Sequence, residues 1–170
     1  IRAVFLDRQW GEMDGTVELL LVFASRRQHL IEKIEPALRE GTHVLCDRFT
    51  DSTLAYQGCG RGVPRSTIDR VDAIATGGRR PDVTLLFDLP AEQARARGQS
   101  KSRRRTGAVD RLDAESLAFY ERVREGYLAL AREEPGRFRV IDSSGDLDAT
   151  TQALRATLAT LLPAKQEAAR

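Results

Sequence analysis

Three short apolar runs, each followed by an aspartate, limit the fold of this chain more than any other feature. The runs with their aspartates are Val44–Cys46 with Asp47, Val83–Phe87 with Asp88, and Phe138–Ile141 with Asp142. Short apolar runs bounded by turn signals are typical of strands buried on both faces of a parallel sheet. The sequence therefore predicts a parallel sheet whose strands end on acidic residues.

Segments with helical periodicity separate these runs. The longest starts at Thr16 and stops near Gly41, and Pro36 inside it should bend or divide the helix. The other predicted helices are 1–6, 51–57, 66–76, 91–97, 114–132 and 147–162. Strands that alternate with helices predict an α/β fold, a parallel sheet flanked by helices. Ligands of such sheets gather at the carboxyl ends of the strands, where the three aspartates would lie.

Composition is compatible with a single compact domain. The chain has 170 residues, of which 41% are hydrophobic, and we expect one domain over 1–163 and a polar tail over 164–170. The formal net charge of +2 says little about partners. Cys46 and Cys59 lack the spacing of metal ligands or of a disulfide framework, and Cys46 should be buried as a free thiol. With no membrane-length apolar stretch and no signal peptide, we expect a cytoplasmic protein without a membrane partner.

The segment from Asp47 to Gly58 carries the most chemical information. Arg48 at a strand end can grip a phosphate through two parallel hydrogen bonds, and Asp47 can hold Mg²⁺ directly or through water. Thr53, Tyr56 and Gln57 follow at helical spacing and share one face, which offers a hydroxyl, an aromatic ring and an amide for reading a nucleobase edge. Each of these residues could equally have a purely structural role, in an ion pair at a strand end or in a helix cap. A structural role explains the whole set poorly.

This segment resembles the D-R-(Y/F/H)-x-x-S-x-x-A-Y-Q-G signature of bacterial thymidylate kinases. Further stretches match the same family in the same order, and the similarity covers about 1–162. These stretches are Phe23–His29, Pro36–Leu38 with Gly41, Gly60–Gly62, Arg80–Leu85 and Asp110–Asp113. The resemblance implies a fold of the P-loop nucleoside monophosphate kinase type and transfer of the ATP γ-phosphoryl group to dTMP. It also implies Mg²⁺ and a homodimer formed through the long helices.

The resemblance assigns roles to the residues that match its motifs. Arg48 would bind the dTMP phosphate, Thr53 and Gln57 would face the thymine, and Tyr56 would pack against the deoxyribose. Ser52 would lie beside the same pocket.

Three further residues are assigned from the helices that precede this segment. Arg26 would reach the nucleotide and Phe23 would stack on it, while Arg27 and Val22 are the competing assignments one position away. Arg2 would contact the pyrimidine.

A basic run from Arg97 to Arg111 has three interpretations: a nucleic-acid patch, a lid over bound ATP, and a solvated loop without a ligand. A nucleic-acid patch would need interleaved aromatic residues, which are absent, so we expect no nucleic-acid partner. A lid over about 98–111, hinged at Gly98 and Gly107, would instead bring arginines to the ATP phosphates. With Asp47, the catalytic candidates are Arg103, Arg104, Arg105 and Arg111.

No G-x-x-x-x-G-K-(S/T) motif occurs in the chain. The resemblance implies that the first βαβ unit, with this P-loop, precedes Ile1. We therefore expect these residues alone to lack kinase turnover. The alternatives are a catalytically silent nucleotide-binding homologue and another deoxynucleotide or deoxynucleoside kinase.

Overall fold

The structure is a computed structural model that describes residues 1–162, without the side chains of residues 105 and 106. The predicted polar tail, 164–170, and the side chain of Arg105 thus lie outside the described residues. The strands are β1 (Thr84–Asp88) and β2 (Phe138–Asp142). The helices are α1 (Arg2–Leu6), α2 (Gly15–His29), α3 (Glu35–Arg39), α4 (Thr50–Thr53), α5 (Arg65–Thr76), α6 (Ala91–Thr106), α7 (Leu117–Glu133) and α8 (Leu147–Leu161).

The two strands pair in parallel, with Thr84 opposite Phe138 and Asp88 opposite Asp142. A parallel pair needs a long crossover, and α6 and α7 provide it between β1 and β2. The predicted α/β fold with a parallel sheet flanked by helices is confirmed. Two of the three predicted aspartates lie side by side at the carboxyl edge of the sheet.

The predicted strand at Val44–Cys46 is wrong. Residues 42–46 form no strand, Leu45 is 93% exposed, and Cys46, expected to be buried, is exposed as well. A strand is stabilised by the ladder that it forms with a neighbour, and no strand within residues 1–162 pairs with this segment. Asp47 therefore lies in an exposed bend and not at a strand tip.

The long predicted helix changes its winding just before Pro36. After α2, a wide π-type turn covers Leu30–Ile34, and α3 begins at Glu35. Proline lacks the N–H that an α-helix uses and its ring crowds the preceding turn, so one wider turn accommodates it. The predicted division at Pro36 is confirmed in this form.

Helix α6 extends beyond its predicted end at Arg97 and stops at Thr106, where Gly107 adopts a left-handed φ of 75°. Gly98, expected to act as a hinge, lies inside the helix. A Cβ atom at this position would lie 2.6 Å from Oδ1 of Asp113. The glycine thus lets α6 approach the 110–113 turn closely.

Helix α7 packs against a second π-type segment, Leu54–Gly60, which continues α4. Two glycines permit the contact: a Cβ on Gly126 would lie 2.6 Å from Sγ of Cys59, and one on Gly60 would lie 2.6 Å from the ring of Phe119. The main core of the described residues joins α2, the π-type segment, α5, α7 and β2. Its buried members are Leu19, Phe23, Leu54, Val63, Ile68, Ala75, Leu130 and Phe138. Across residues 1–162, no helix has the length and apolar character needed to cross a membrane.

Candidate functional site

Arg26 is a buried cation at the contact between α2 and α4. Its Nη2 donates hydrogen bonds to the Phe49 carbonyl and to the Thr53 hydroxyl, both at 2.9 Å. The guanidinium carbon lies 4.6 Å from the centroid of the Phe23 ring and 5.1 Å from that of Phe49. Burial lowers the pKa of Arg26 to about 10, so the group is still charged at neutral pH.

The other terminal nitrogen of Arg26, Nη1, is enclosed and has no hydrogen-bond partner among residues 1–162. A buried donor without an acceptor costs about 1–3 kcal/mol, more when it is charged. A ligand oxygen at this point would remove that cost. The competing residue, Arg27, is exposed and its Nη1 donates to the Ala75 carbonyl at 3.5 Å. The geometry therefore favours Arg26 over Arg27.

The two candidates for the stacking residue, Phe23 and Val22, differ in exposure. The ring of Phe23 is 2% exposed and lies in the main core, where its face contacts the guanidinium of Arg26. Val22 is half-buried and lies on the stripe of α2 that also carries Arg26, four positions away. Which of the two meets a ligand stays a prediction.

Arg48 has an unusual backbone conformation. Its φ of 68° is the only positive φ of a non-glycine residue within the described chain. A left-handed conformation costs a side-chain-bearing residue about 1–2 kcal/mol, and such strain is concentrated at functional sites. Nη2 of Arg48 donates to the Tyr56 hydroxyl at 3.1 Å, and its guanidinium carbon lies 4.6 Å from the centroid of the Tyr56 ring.

The predicted recognition face, which carries Thr53, Tyr56 and Gln57, runs through α4 into the π-type segment. The predicted helix over 51–57 is therefore α-helical only as far as Thr53. Thr53 and Gln57 are 1% and 3% exposed, and Tyr56 is half-buried between them. The hydroxyls of Ser52 and Tyr127 lie 2.6 Å apart. Burial raises the pKa of Tyr127 to about 12, so this phenol is neutral at physiological pH.

Glu18 is a fully buried carboxylate on α2, at 0% exposure. Its Oε2 accepts a hydrogen bond from Nε2 of Gln57 at 2.9 Å. Its Oε1 accepts from Nε of Arg61 at 3.0 Å and from Nη1 of Arg111. This one side chain connects the recognition face to the segment that follows α6.

Another aspartate of the signature segment, Asp51, is a structural anchor. Arg137, just before β2, donates to both of its carboxylate oxygens at 2.7 Å, and the Thr84 hydroxyl donates to one of them at 2.7 Å. Asp51 is 6% exposed. The start of α4 is thus fixed to the sheet by a buried, two-pronged ion pair.

The predicted catalytic arginines whose side chains the structure describes, Arg103, Arg104 and Arg111, are not brought together. Arg103 and Arg104 are exposed on the last turns of α6. Arg111 is buried against Glu18, and its Nη2 donates to the Phe5 carbonyl at 2.9 Å. Arg2 is exposed at the first position of α1. The lid and its catalytic arginine stay predictions.

Asp47, the predicted metal ligand, is exposed in the bend beside Arg48. Within the described part of the chain, no group of three or more His, Cys, Asp or Glu side chains could hold a metal ion. Mg²⁺ commonly uses one or two carboxylates and completes its shell with water and substrate phosphates. A single exposed carboxylate fits that habit.

Sequence reasoning missed Glu18 and Tyr127. Glu18 had a usable signal, because it precedes an apolar run and lies on the same stripe of α2 as Arg26. Tyr127 had none, since 75 positions separate it from Ser52.

Comparison with known proteins identifies the group to which this site belongs. A sequence profile described as thymidylate kinase matches residues 1–154. The chain belongs to the thymidylate kinase family. The thymidylate kinase of Geobacter sulfurreducens is 49% identical over 164 residues, which are 96% of this chain and 77% of that protein. The thymidylate kinase of Desulfovibrio desulfuricans is 51% identical over 146 residues, or 85% of this chain and 67% of that protein.

A solved structure agrees with this family assignment. The crystal structure of thymidylate kinase from Ehrlichia chaffeensis matches with a TM-score of 0.67 and 29% identity, over 89% of this chain and 69% of that one. The expected fold type, that of the P-loop nucleoside monophosphate kinases, is confirmed.

Proposed function

We propose that this chain acts in the phosphorylation of dTMP, in which the γ-phosphoryl group of ATP is transferred to give dTDP. Membership of the thymidylate kinase family supports this reaction. The catalytically silent homologue and the other deoxynucleotide kinases are less favoured, because the relatives at about half identity carry the thymidylate kinase name.

The observation that carries the proposal is the buried, partly unpaired guanidinium of Arg26. It is held by Thr53 and the Phe49 carbonyl, and it keeps Nη1 for an acceptor that residues 1–162 do not provide. A thymine carbonyl oxygen is such an acceptor. The low exposure of Arg26 makes a charged hydrogen bond to it stronger than it would be in water.

The remaining acceptor contacts follow from the same face. Arg48 would bind the phosphate of dTMP, and its strained backbone directs its guanidinium beside Tyr56. Thr53 and Gln57 would meet the base, and Tyr56 would pack on the deoxyribose, where a ring leaves little room for a 2′-hydroxyl. Ser52 would keep the pocket wall in place through Tyr127. Phe23 or Val22 would lie under the base, and Arg2 would approach it from α1.

The donor side is proposed more coarsely. Phosphoryl transfer needs little covalent help from a protein, so positioning and neutralisation of charge carry the rate. Asp47 would hold Mg²⁺ together with the phosphates, and the bound ion would neutralise charge on them. Lid arginines from the set Arg103, Arg104, Arg105 and Arg111 would cover the transferred group.

We also propose a homodimer and a cytoplasmic location. Val17 and Leu20, three positions apart on α2, are 46% and 54% exposed, which leaves an apolar strip for a second copy. Leu19, between them in sequence, is fully buried in the core and is not part of this strip. Cys46 and Cys59 are both free thiols, as is usual in a reducing compartment.

Isothermal titration calorimetry with dTMP, thymidine and dAMP tests the acceptor assignment. We expect submillimolar binding of dTMP, at least tenfold weaker binding of thymidine because the Arg48 contact is lost, and no measurable binding of dAMP. Equal affinities for dTMP and dAMP would contradict the proposal.

A further inference from the structure

We propose that Glu18 is a positioning residue that fixes which atom of the Gln57 amide faces the nucleobase. It would thereby select a base that carries a hydrogen on N3. The inference rests on the proposed function, because it takes the base to lie against the face of Thr53 and Gln57. It adds a determinant of specificity that does not itself touch the nucleotide.

The two oxygens of Glu18 have different partners. Oε1 accepts from Arg61 and Arg111, and Oε2 accepts from Gln57 at 2.9 Å. A carboxylate can only accept hydrogen bonds, so the amide atom that faces Oε2 is the NH₂ group of Gln57. The rotation of the amide about its last bond is thus set by Glu18. The carbonyl oxygen Oε1 of Gln57 points to the other side and makes no hydrogen bond with the described residues.

An amide oxygen and an amide nitrogen select different bases. Thymine and uracil carry a hydrogen on N3, which a carbonyl oxygen accepts. Cytosine has a lone pair on N3, which a carbonyl oxygen repels. A site whose polar group is fixed in one orientation rejects the wrong partner more strongly than one that is free to rotate. With Oε1 of Gln57 toward the base, dTMP and dUMP bind and dCMP is excluded.

The substitution Glu18→Gln should reverse this selection. Two arginines still donate toward the former Oε1 position, so the oxygen of the introduced amide stays there. Its NH₂ group then occupies the place of Oε2 and meets the NH₂ group of Gln57. Two donors cannot pair, so Gln57 turns its amide over and presents NH₂ to the base. That group suits the N3 lone pair of cytosine.

Calorimetric titration of dTMP and dCMP into the wild-type chain and three variants tests the inference. For Glu18→Gln, we expect the dTMP/dCMP affinity ratio to fall at least tenfold. Gln57→Leu removes the reading group, so its ratio should approach one. The double variant Glu18→Gln/Gln57→Glu should regain the preference for dTMP, since a carboxylate at position 57 offers an acceptor to the base. A residue with a purely structural role would show no such rescue.

The outcomes are distinguishable. A wild-type chain that binds neither dTMP nor dUMP contradicts the proposed function. If the wild type binds dTMP and a folded Glu18→Gln variant, verified by its unfolding transition, keeps the wild-type ratio, the inference alone is overturned. If Glu18→Gln does not fold, Gln57→Leu decides, and an unchanged ratio in that variant overturns the inference.

Discussion

At the scale of single residues, Arg26 is buried and incompletely hydrogen-bonded, which has an energetic consequence. Its guanidinium joins α2 to α4 through the Thr53 hydroxyl and the Phe49 carbonyl, so it contributes to stability without a ligand. The enclosed Nη1 opposes that contribution. The ligand-free protein is therefore less stable at this position than it would be with an acceptor bound. Such a local loss of stability is usual where a protein binds a polar ligand.

Replacing Arg26 separates the two effects. We expect Arg26→Gln to raise the dissociation constant for dTMP at least tenfold, because a neutral amide replaces a buried charged donor. Calorimetry measures the change. The matched control is Arg27→Gln, which alters the exposed neighbouring arginine and should change the constant by less than about twofold. Equal losses in the two variants would contradict the assignment of Arg26.

How well these residues could be predicted depends on the range of their contacts. The local spacing of Thr53, Tyr56 and Gln57 placed them on one face, and the resemblance placed Arg26 and Arg48 beside it. Nothing local fixes the partner of a side chain, however. The burial of Arg111 against Glu18 joins positions 93 apart, so local sequence gives no sign of this contact.

At the scale of elements, the π-type segment Leu54–Gly60 and α7 form the closest packing around the site. Because Gly60 and Gly126 have no side chains, the two backbones come close together, and the side chains of Phe119 and Cys59 occupy the space beside the glycines. Because Tyr56 and Gln57 lie on this segment, the position of α7 sets the position of the recognition face. A small change in this packing should move the site as well as lower the stability.

The substitution Gly126→Ala tests that coupling. The new Cβ would lie 2.6 Å from Sγ of Cys59 and 3.4 Å from Cα of Ala55, so the segment must shift. We expect the free energy of unfolding in urea to fall by about 1–3 kcal/mol, and dTMP to bind more weakly. Gly136→Ala is the control, because a Cβ there meets no atom within 4 Å. Wild-type stability in Gly126→Ala would show that this contact is looser than described.

The ion pair of Asp51 and Arg137 fixes α4 to the sheet, and it can be tested separately. Arg137→Met leaves the buried carboxylate of Asp51 without its charged partner, which we expect to cost about 3–5 kcal/mol of unfolding free energy. Arg139→Met is the control, since Arg139 donates only to nearby backbone carbonyls within the described chain. A loss in Arg137→Met no larger than that in the control would show that the pair is dispensable.

Element boundaries could be predicted where periodicity and caps agree. The start of α8 follows the Asp146 cap, and the end of α5 follows from left-handed Gly77. The predicted strand at Val44–Cys46 is wrong, because an apolar run indicates that a segment tends to be buried but does not indicate which strand pairs with it. The predicted hinge at Gly98 is wrong for a related reason. A glycine can allow flexibility or close packing, and only the contact with Asp113 in the structure shows that Gly98 allows close packing.

On the scale of the whole molecule, two buried carboxylates connect helices and strands that are distant in sequence. Glu18 joins α2 to the π-type segment and to the turn after α6, while Asp51 joins α4 to both strands through Thr84 and Arg137. The proposed acceptor site lies between these anchors. The fold class could be predicted from the order of strands and helices, and the resemblance placed Arg26 beside Thr53 and Gln57. The link from Gln57 through Glu18 to Arg111 could be seen only in the three-dimensional packing.

The central claim is that this face binds dTMP, and a crystal structure of the chain with dTMP tests it most directly. We predict the thymine ring within hydrogen-bonding distance of Arg26, Thr53 and Gln57, with an oxygen of the base on Nη1 of Arg26 and the phosphate on Arg48. Nucleotide density at another surface, or a thymine that leaves Nη1 of Arg26 unpaired, would contradict the account.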